Sequence, residues 1–278
     1  MSAEAIAGIE WVRPLGRGSV TEVFAVRSTT SAERFALKRI RPAKRNDPLA
    51  LHLLKTEARV GLAIQHPNVI RTVAAHLKFT PRYLLLEWLE GETLRRRLNR
   101  QHKFSWRAIA EILRDCAAGL AALHGKGFIH GDIKPDNIYL LRGGGTKVID
   151  LGFAHRPNEH RSMQEEGYVL GTAQYVAPEL CEDQSIDDYS SDLFSLGVTA
   201  FEMFTRRLPY PFVSSEELLR LHRDTLPELL VSTELDTPRV LIELVNALLS
   251  RRPKKRPSAA NLQKEMTRLL AINRRLAA

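Results

Sequence analysis

HGDIKPDN, His130 to Asn137, with Asp150 following thirteen residues after Asn137 in KVIDLG, is the stretch from which the rest of the chain is read. Asn137 and Asp150, two oxygen-bearing side chains at that separation, can close on one divalent cation, while Asp132 and Lys134 share a short loop. In isolation, such residues more often make a turn stabilised by Asp and Asn side chains. The strand-like KVID at a fixed distance speaks against that plain reading here.

Composition sets loose bounds. A chain of 278 residues suits one large or two small domains, and at that size roughly 75% of the unfolded surface is buried on folding. The 44% apolar and 26% charged content is ordinary for a globular protein. No apolar run approaches the ~18 residues that a membrane span needs. The start, MSAEAIAGIE, has no basic residue ahead of an apolar run and does not read as a secretory signal, so a cytoplasmic setting is expected. Cys116 and Cys181 have no CxxC or CxxH spacing and are expected to be buried thiols. The net charge of +9 comes from dispersed clusters such as Arg95 to Arg97, Arg206 with Arg207, and Arg251 to Arg256. Such runs are usually solvated faces, so no dedicated nucleic-acid binding is expected, although the surface favours phosphates or acidic partners.

The first third reads as strands and the remainder as helices. WVRPLG, VTEVFAVRS and RFALKRI alternate apolar and polar residues between turn-prone RGS and TTSAE, which predicts three antiparallel strands. A helix carrying Glu57 should run to about Ile64, where His66-Pro67-Asn68 stops it, and VIRTVAAHL and RYLLLEWL read as two further strands. From Ser105 the period becomes helical: Ile109, Ile112, Leu113, Cys116, Leu120 and Leu123 form one stripe, with Ser105 as N-cap and Gly125 as the stop. Later helices are expected over Asp192 to Thr205, Ser215 to Arg223, Arg239 to Leu249 and Ser258 to Leu270, with Ser214 and Glu217 as a capping box.

Several segments then fall in a telling order: LGRGSVTEV (Leu15 to Val23), FALK ending at Lys38, Glu57, LLLEWLEGETL, the HGDIKPDN loop, GTAQYVAPE, SSDLFSLG and RRPKKRPS. Taken singly they prove little, since LGRGSVTEV could be a plain hairpin turn and Lys38 a surface lysine. Together, from about Val12 to Leu270, the chain resembles the eukaryotic-type serine/threonine protein kinase catalytic domain. The resemblance implies an α+β, bilobal fold: a small antiparallel β-sheet lobe with one helix, plus a larger, mostly α-helical lobe. It would be one domain over 1–278, with an N-terminal lobe of about 1–86, a hinge of 87–92 and a C-terminal lobe of 93–278.

The same resemblance implies roles. ATP phosphates would lie against Leu15, Gly16, Arg17, Gly18, Ser19 and Val20, where glycines let backbone N–H groups approach closely. Val23 and Ala36 would cover the adenine, and the Glu87 carbonyl and Leu89 amide would pair with its edge, with Leu86 guarding the back pocket. Lys38 would reach the α and β phosphates, held by Glu57. Asp132 would accept or orient the substrate hydroxyl proton, Lys134 would neutralise the moving phosphoryl group, and Asn137 and Asp150 would hold Mg2+. Thr172 would bond near Asp132, Glu179 would pair with Arg256, and Asp192 would anchor the catalytic-loop backbone or, on a plainer reading, cap its helix. Lys134, two residues after Asp132, points to Ser/Thr hydroxyls of protein substrates.

The pattern also has departures. Thr21 stands in place of a third glycine, Leu151 in place of phenylalanine, Gly61 and Thr72 where larger apolar residues usually brace the helix, and Gly131 where many kinases have arginine. Between Asp150 and Glu179 the hydroxyl side chains are Ser162, Tyr168, Thr172 and Tyr175. With no arginine at 131 to receive a phosphate, activity independent of activation-segment phosphorylation is expected. Two other readings stay open: a small-molecule phosphotransferase of the aminoglycoside or choline kind, and a nucleotide-binding pseudokinase scaffold. The former tend to carry His at the place of Lys134 and to lack the Ala177-Pro178-Glu179 and late-arginine elements.

Overall fold

The computed structural model describes residues 6–159, 171–181, 188–211, 214–231 and 236–275. They gather into two compact units, one from the residues up to Glu90 together with Asp150–Phe153, the other from Gly91–Ile149 and the residues after Phe153.

The first unit is a five-stranded sheet in the order β1-β2-β3-β5-β4, built from β1 (Ile9–Arg17), β2 (Thr21–Ser28), β3 (Arg34–Ile40), β4 (Thr72–His76) and β5 (Tyr83–Glu87). Every neighbouring pair is antiparallel. Lys38 lies opposite Val23 on one side and Leu84 on the other, and Ala36 lies opposite Leu86. Residues facing each other across a ladder share a face, so Val23, Ala36, Lys38 and Leu86 line the same side. Arg39 takes the other side, where it pairs with Glu22 at 2.9 Å and lies over the Trp11 and Phe24 rings.

Helix α1 (Pro48–Ala63) starts where Asp47 accepts from the Leu49 and Ala50 amides, with Pro48 pre-set at the first position. It ends at extended Ile64, just ahead of His66-Pro67. Ala50, Leu54, Glu57 and Gly61 are its buried residues at helical spacing, so the one acidic side chain in that stripe is carried into the packed face. Gly61 and Thr72 prove complementary: a Cβ at Gly61 would lie 2.0 Å from Thr72 Oγ1, so the glycine makes room for the threonine. The strand expected over VIRTVAAHL is confined to Thr72–His76. Val69 instead closes a turn onto His66, and Val69 and Ile70 are buried as packing residues outside the ladder.

The second unit is mostly helical: α2 (Leu94–Asn99), α3 (Trp106–Gly125), α4 (Ser190–Thr205), α5 (Ser215–Asp224), α6 (Arg239–Leu248) and α7 (Ala259–Arg275). A small antiparallel sheet of β6 (Gly91–Thr93), β7 (Ile138–Leu141) and β8 (Thr146–Val148) flanks the loop that carries Asp132. Ser105 caps α3 as expected, and α3 packs on α4 and α7. Phe194, Phe201, Ile109, Leu113, Leu120 and Leu123 are fully buried at its centre. Gly197 permits α4 and α6 to approach: a Cβ there would stand 2.7 Å from Leu248 Cβ. Cys116 is buried as expected, whereas Cys181 is only half-buried. No helix among the described residues is long and apolar enough to cross a membrane. The observed architecture is the α+β class expected from the sequence.

Candidate active site

Two clusters contain most of the side chains singled out in the sequence. In the sheet unit, Lys38 Nζ lies 2.6 Å from Glu57 Oε2 and 2.8 Å from Asp150 Oδ1. Burial draws the ammonium down, but the Asp150 and Glu57 carboxylates more than reverse this, leaving it above the usual lysine value. Burial also pushes the Glu57 carboxyl up, to about 7, against the pull of Lys38. Asp150 is held with φ at +62°, a left-handed backbone that a non-glycine residue seldom adopts, and its side chain remains 41% exposed.

The Leu15-to-Val23 segment forms the end of β1, a turn and the start of β2, closed by a 2.8 Å hydrogen bond from the Gly18 amide to Thr21 O. Neither Gly16 nor Gly18 has positive φ. A Cβ at Gly16 would meet nothing within 4 Å, and one at Gly18 would only touch Thr21. The hairpin therefore does not itself require glycine at either place. Sequence reading missed Arg41, which donates from Nη1 to Ser19 O at 2.8 Å and Gly18 O at 3.3 Å. No motif announces it; only the fold brings the end of β3 beside this turn. The Glu87 side chain accepts from the Arg71 amide at 2.8 Å, so its carboxylate has a structural use. Leu89 follows β5 and is half-buried.

In the helical unit, Asp132 is the hub. Its Oδ1 accepts from Thr172 Oγ1 at 2.8 Å, and its Oδ2 lies 2.7 Å from Lys134 Nζ and accepts from Asn137 Nδ2 at 2.9 Å. Lys134 also donates to Thr172 at 2.6 Å. Asn137 Nδ2 reaches the Asp132 carbonyl as well, at 2.8 Å, which sets the amide with Oδ1 as its acceptor end. Gly131 has φ at +76°, and Gly171, at +104°, lies so close that a Cβ on it would be 2.9 Å from Gly131 O.

The frame of this loop comes from α4. Asp192 accepts from the His130 amide at 2.8 Å and the Gly131 amide at 3.0 Å, and bonds the His124 ring at 2.8 Å. Burial alone would push its carboxyl up, but the His124 ring and the charge and amide of His130 hold it below the ordinary aspartate range. The helix-cap reading fails, since α4 has no side-chain cap and Asp192 bonds the loop backbone instead. Glu179 and Arg256, 77 residues apart, form a two-pronged pair at 2.5 and 2.7 Å. Of the hydroxyls between Asp150 and Glu179, Thr172 and Tyr175 are engaged, while Ser162 and Tyr168 lie outside the described residues.

No group of three or more His, Cys, Asp or Glu side chains able to hold a metal occurs among the described residues. Mg2+ keeps several waters and is usually held by one or two carboxylates and substrate phosphates rather than by an all-protein cage. The acceptor end of the Asn137 amide and the part-exposed Asp150 carboxylate are hard oxygen donors of the required kind.

The protein kinase domain family matches residues 9–266, and the chain belongs to that family. It is 32% identical to the serine/threonine-protein kinase pkn2 of Myxococcus xanthus over 90% of this chain and 31% of the relative. It is 30% identical to the serine/threonine-protein kinase RUNKEL of Arabidopsis thaliana, over 89% of this chain and 17% of that protein. A third relative, the serine/threonine-protein kinase drp72 of Corynebacterium efficiens, is 28% identical over 91% of this chain and 48% of its own length. The chain thus spans less than half the length of each of these three.

Proposed function

We propose that the chain is one protein kinase domain that transfers the γ-phosphoryl group of ATP to serine or threonine hydroxyls of protein substrates, in the cytoplasm. The observation that carries the reading is the Asp132 hub, where an ammonium, a hydroxyl and an amide each lie within 2.9 Å of one carboxylate. In this reading Asp132 orients the acceptor hydroxyl and takes its proton as oxygen attacks phosphorus and the bond to the β-phosphate breaks. Lys134 balances charge on the moving group. Lys38, steadied by Glu57, holds the α and β phosphates, and the backbone of Leu15 to Val20 covers them. Val23, Ala36, Glu87 and Leu89 contact the base. Asn137 and Asp150 would hold magnesium, which would supply charge neutralisation at the phosphates when bound.

Activity is further proposed not to need activation-segment phosphorylation. Gly131 offers no cationic side chain to a phosphate, and the Thr172 hydroxyl is committed to Asp132 and Lys134. Radiolabelled ATP with magnesium, offered alongside casein and a panel of small alcohols, tests the reading. Labelling of casein is expected, falling by roughly 10²- to 10⁴-fold in Asp132→Asn. Labelling confined to the small alcohols, or none by the wild type, would overturn it. Prior phosphatase treatment should leave the rate intact; abolition of turnover by the phosphatase and by Ser162→Ala would remove the second proposal.

A further inference from the structure

An open cavity of about 690 Å³ in the helical unit begins at Lys134, Asn137 and Thr172 and extends past Asp136 and Glu202 to Arg95. A polypeptide whose hydroxyl lies at Asp132 has this space within reach of its neighbouring residues, because the cavity shares Lys134 and Thr172 with the Asp132 hub and each residue advances the chain by about 3.3–3.6 Å. The cavity therefore bears on which sequences are accepted.

Its charges are already paired internally. Arg95 donates from Nη1 to Glu202 Oε1 at 2.6 Å and from Nη2 to Oε2 at 3.3 Å, while its Nε reaches Asp136 Oδ2 at 3.3 Å. The same guanidinium donates to the Tyr175 hydroxyl, which in turn donates to Glu202 Oε2 at 2.7 Å. Glu202 is 11% exposed in its side chain and Arg95 is 26% exposed, so the carboxylate is sealed and the cation faces the opening. An incoming lysine or arginine would meet Arg95 and Lys134, with Glu202 sealed and the half-exposed Asp136 already facing Arg95. An incoming carboxylate would meet the open side of Arg95.

We propose that Arg95 is a specificity-determining residue, filling from within the chain an acidic recess beside the acceptor site, so that residues flanking the acceptor hydroxyl are selected to be neutral or acidic rather than basic. The inference rests on the protein-kinase reading above. Without Arg95, Asp136 and Glu202 would face the cavity with no cation between them, leaving a place shaped for a guanidinium from the substrate.

The test is a peptide set with one serine in a neutral background and a single Arg, Asp or Ala at each of the four positions on either side. kcat/KM is compared within each enzyme, for wild type, Arg95→Lys, Arg95→Ala, and Arg95→Ala with Glu202→Gln. The wild type should gain nothing from arginine at any position, and Arg95→Lys should keep that profile. Arg95→Ala should favour arginine over alanine at one position by about 10- to 100-fold, and the added Glu202→Gln should reduce the gain. A tenfold preference for arginine in the wild type overturns the proposal without any variant being needed, and so does an unchanged profile in folded Arg95→Ala. Failure of the wild type to phosphorylate any peptide would instead bring down the kinase reading and this inference with it.

Discussion

Glu179 with Arg256 in the helical unit and Lys38 with Glu57 in the sheet unit are both buried ion pairs, yet their surroundings differ. The Arg256 guanidinium meets both Glu179 oxygens, and two of its three remaining donors reach the carbonyls of Ser250 at 2.8 Å and Ser190 at 3.0 Å. Lys38 divides its ammonium between Glu57 and the part-exposed Asp150, and Glu57 Oε1 finds no partner of good geometry among the described residues, the Leu151 backbone adding only weakly to the pull of Lys38. A pair so enclosed and so nearly saturated presents no face to a ligand and acts as a staple between distant segments. An incompletely saturated one, shared with a carboxylate that faces solvent, has interactions in reserve.

The largest expected effect falls on the staple. Arg256→Ala strands a buried carboxylate and should cost roughly 3 to 5 kcal/mol, lowering the thermal midpoint by about 10 °C. Arg256→Lys restores the charge but not the two-pronged geometry and should lose less. A loss in Arg256→Ala with none in Arg256→Lys would break the comparison, since it would show that the two-pronged geometry contributes nothing.

His222 sharpens it. Its two ring nitrogens are also unsatisfied among the described residues, but the side chain is wholly sealed beside Tyr210, with ring centroids 4.1 Å apart. Burial pulls its pKa down to about 4, against a weaker upward influence of the nearby Val176 backbone. The folded value lies below the unfolded one, so the unfolded chain binds the proton first. Stability is fully present above about pH 6.5 and is lost, by about 3 kcal/mol, as pH falls to about 4. Denaturant titrations across that range should show the slope in the wild type and lose it in His222→Phe. An unmet polar group thus predicts chemistry only where a ligand can reach it.

Glu57 gives a smaller effect. Because its carboxyl is raised to about 7, the folded protein retains that proton in a range where a free glutamate has lost it. The carboxylate that pairs with Lys38 is complete only above that point, so kcat/KM for ATP should fall as pH drops below about 7, approaching tenfold per pH unit. In Glu57→Gln this inflection should vanish from the pH–rate profile. Its persistence there would assign the titration to another group.

The sequence already announced much of this arrangement where signals were local or periodic. Strands β1, β2 and β3, the Ser105 cap of α3, and the Asp132-to-Asn137 loop all rest on neighbours within a few residues. The Glu179–Arg256 pair was legible only through family resemblance, since nothing local links residues 77 apart. Strand β6 and helix α2 escaped because three and six residues are too short to show a period. The apolar run around Val69 misled because buried packing and buried ladder residues look alike in a sequence. Arg41 and Arg95 were hidden for a different reason. An arginine at the end of a strand or in a basic run reads as solvated surface until the fold brings carbonyls or carboxylates to it.

The most direct test of the contrast is calorimetric titration of Mg-ATP into the wild type, Lys38→Met and Arg256→Lys. One nucleotide per chain should bind to the wild type and to folded Arg256→Lys, with affinity at least about tenfold weaker in Lys38→Met, as expected for loss of a charged phosphate contact. Unaltered binding by Lys38→Met, or no binding by the wild type, would contradict the assignment of the unsaturated pair to the nucleotide.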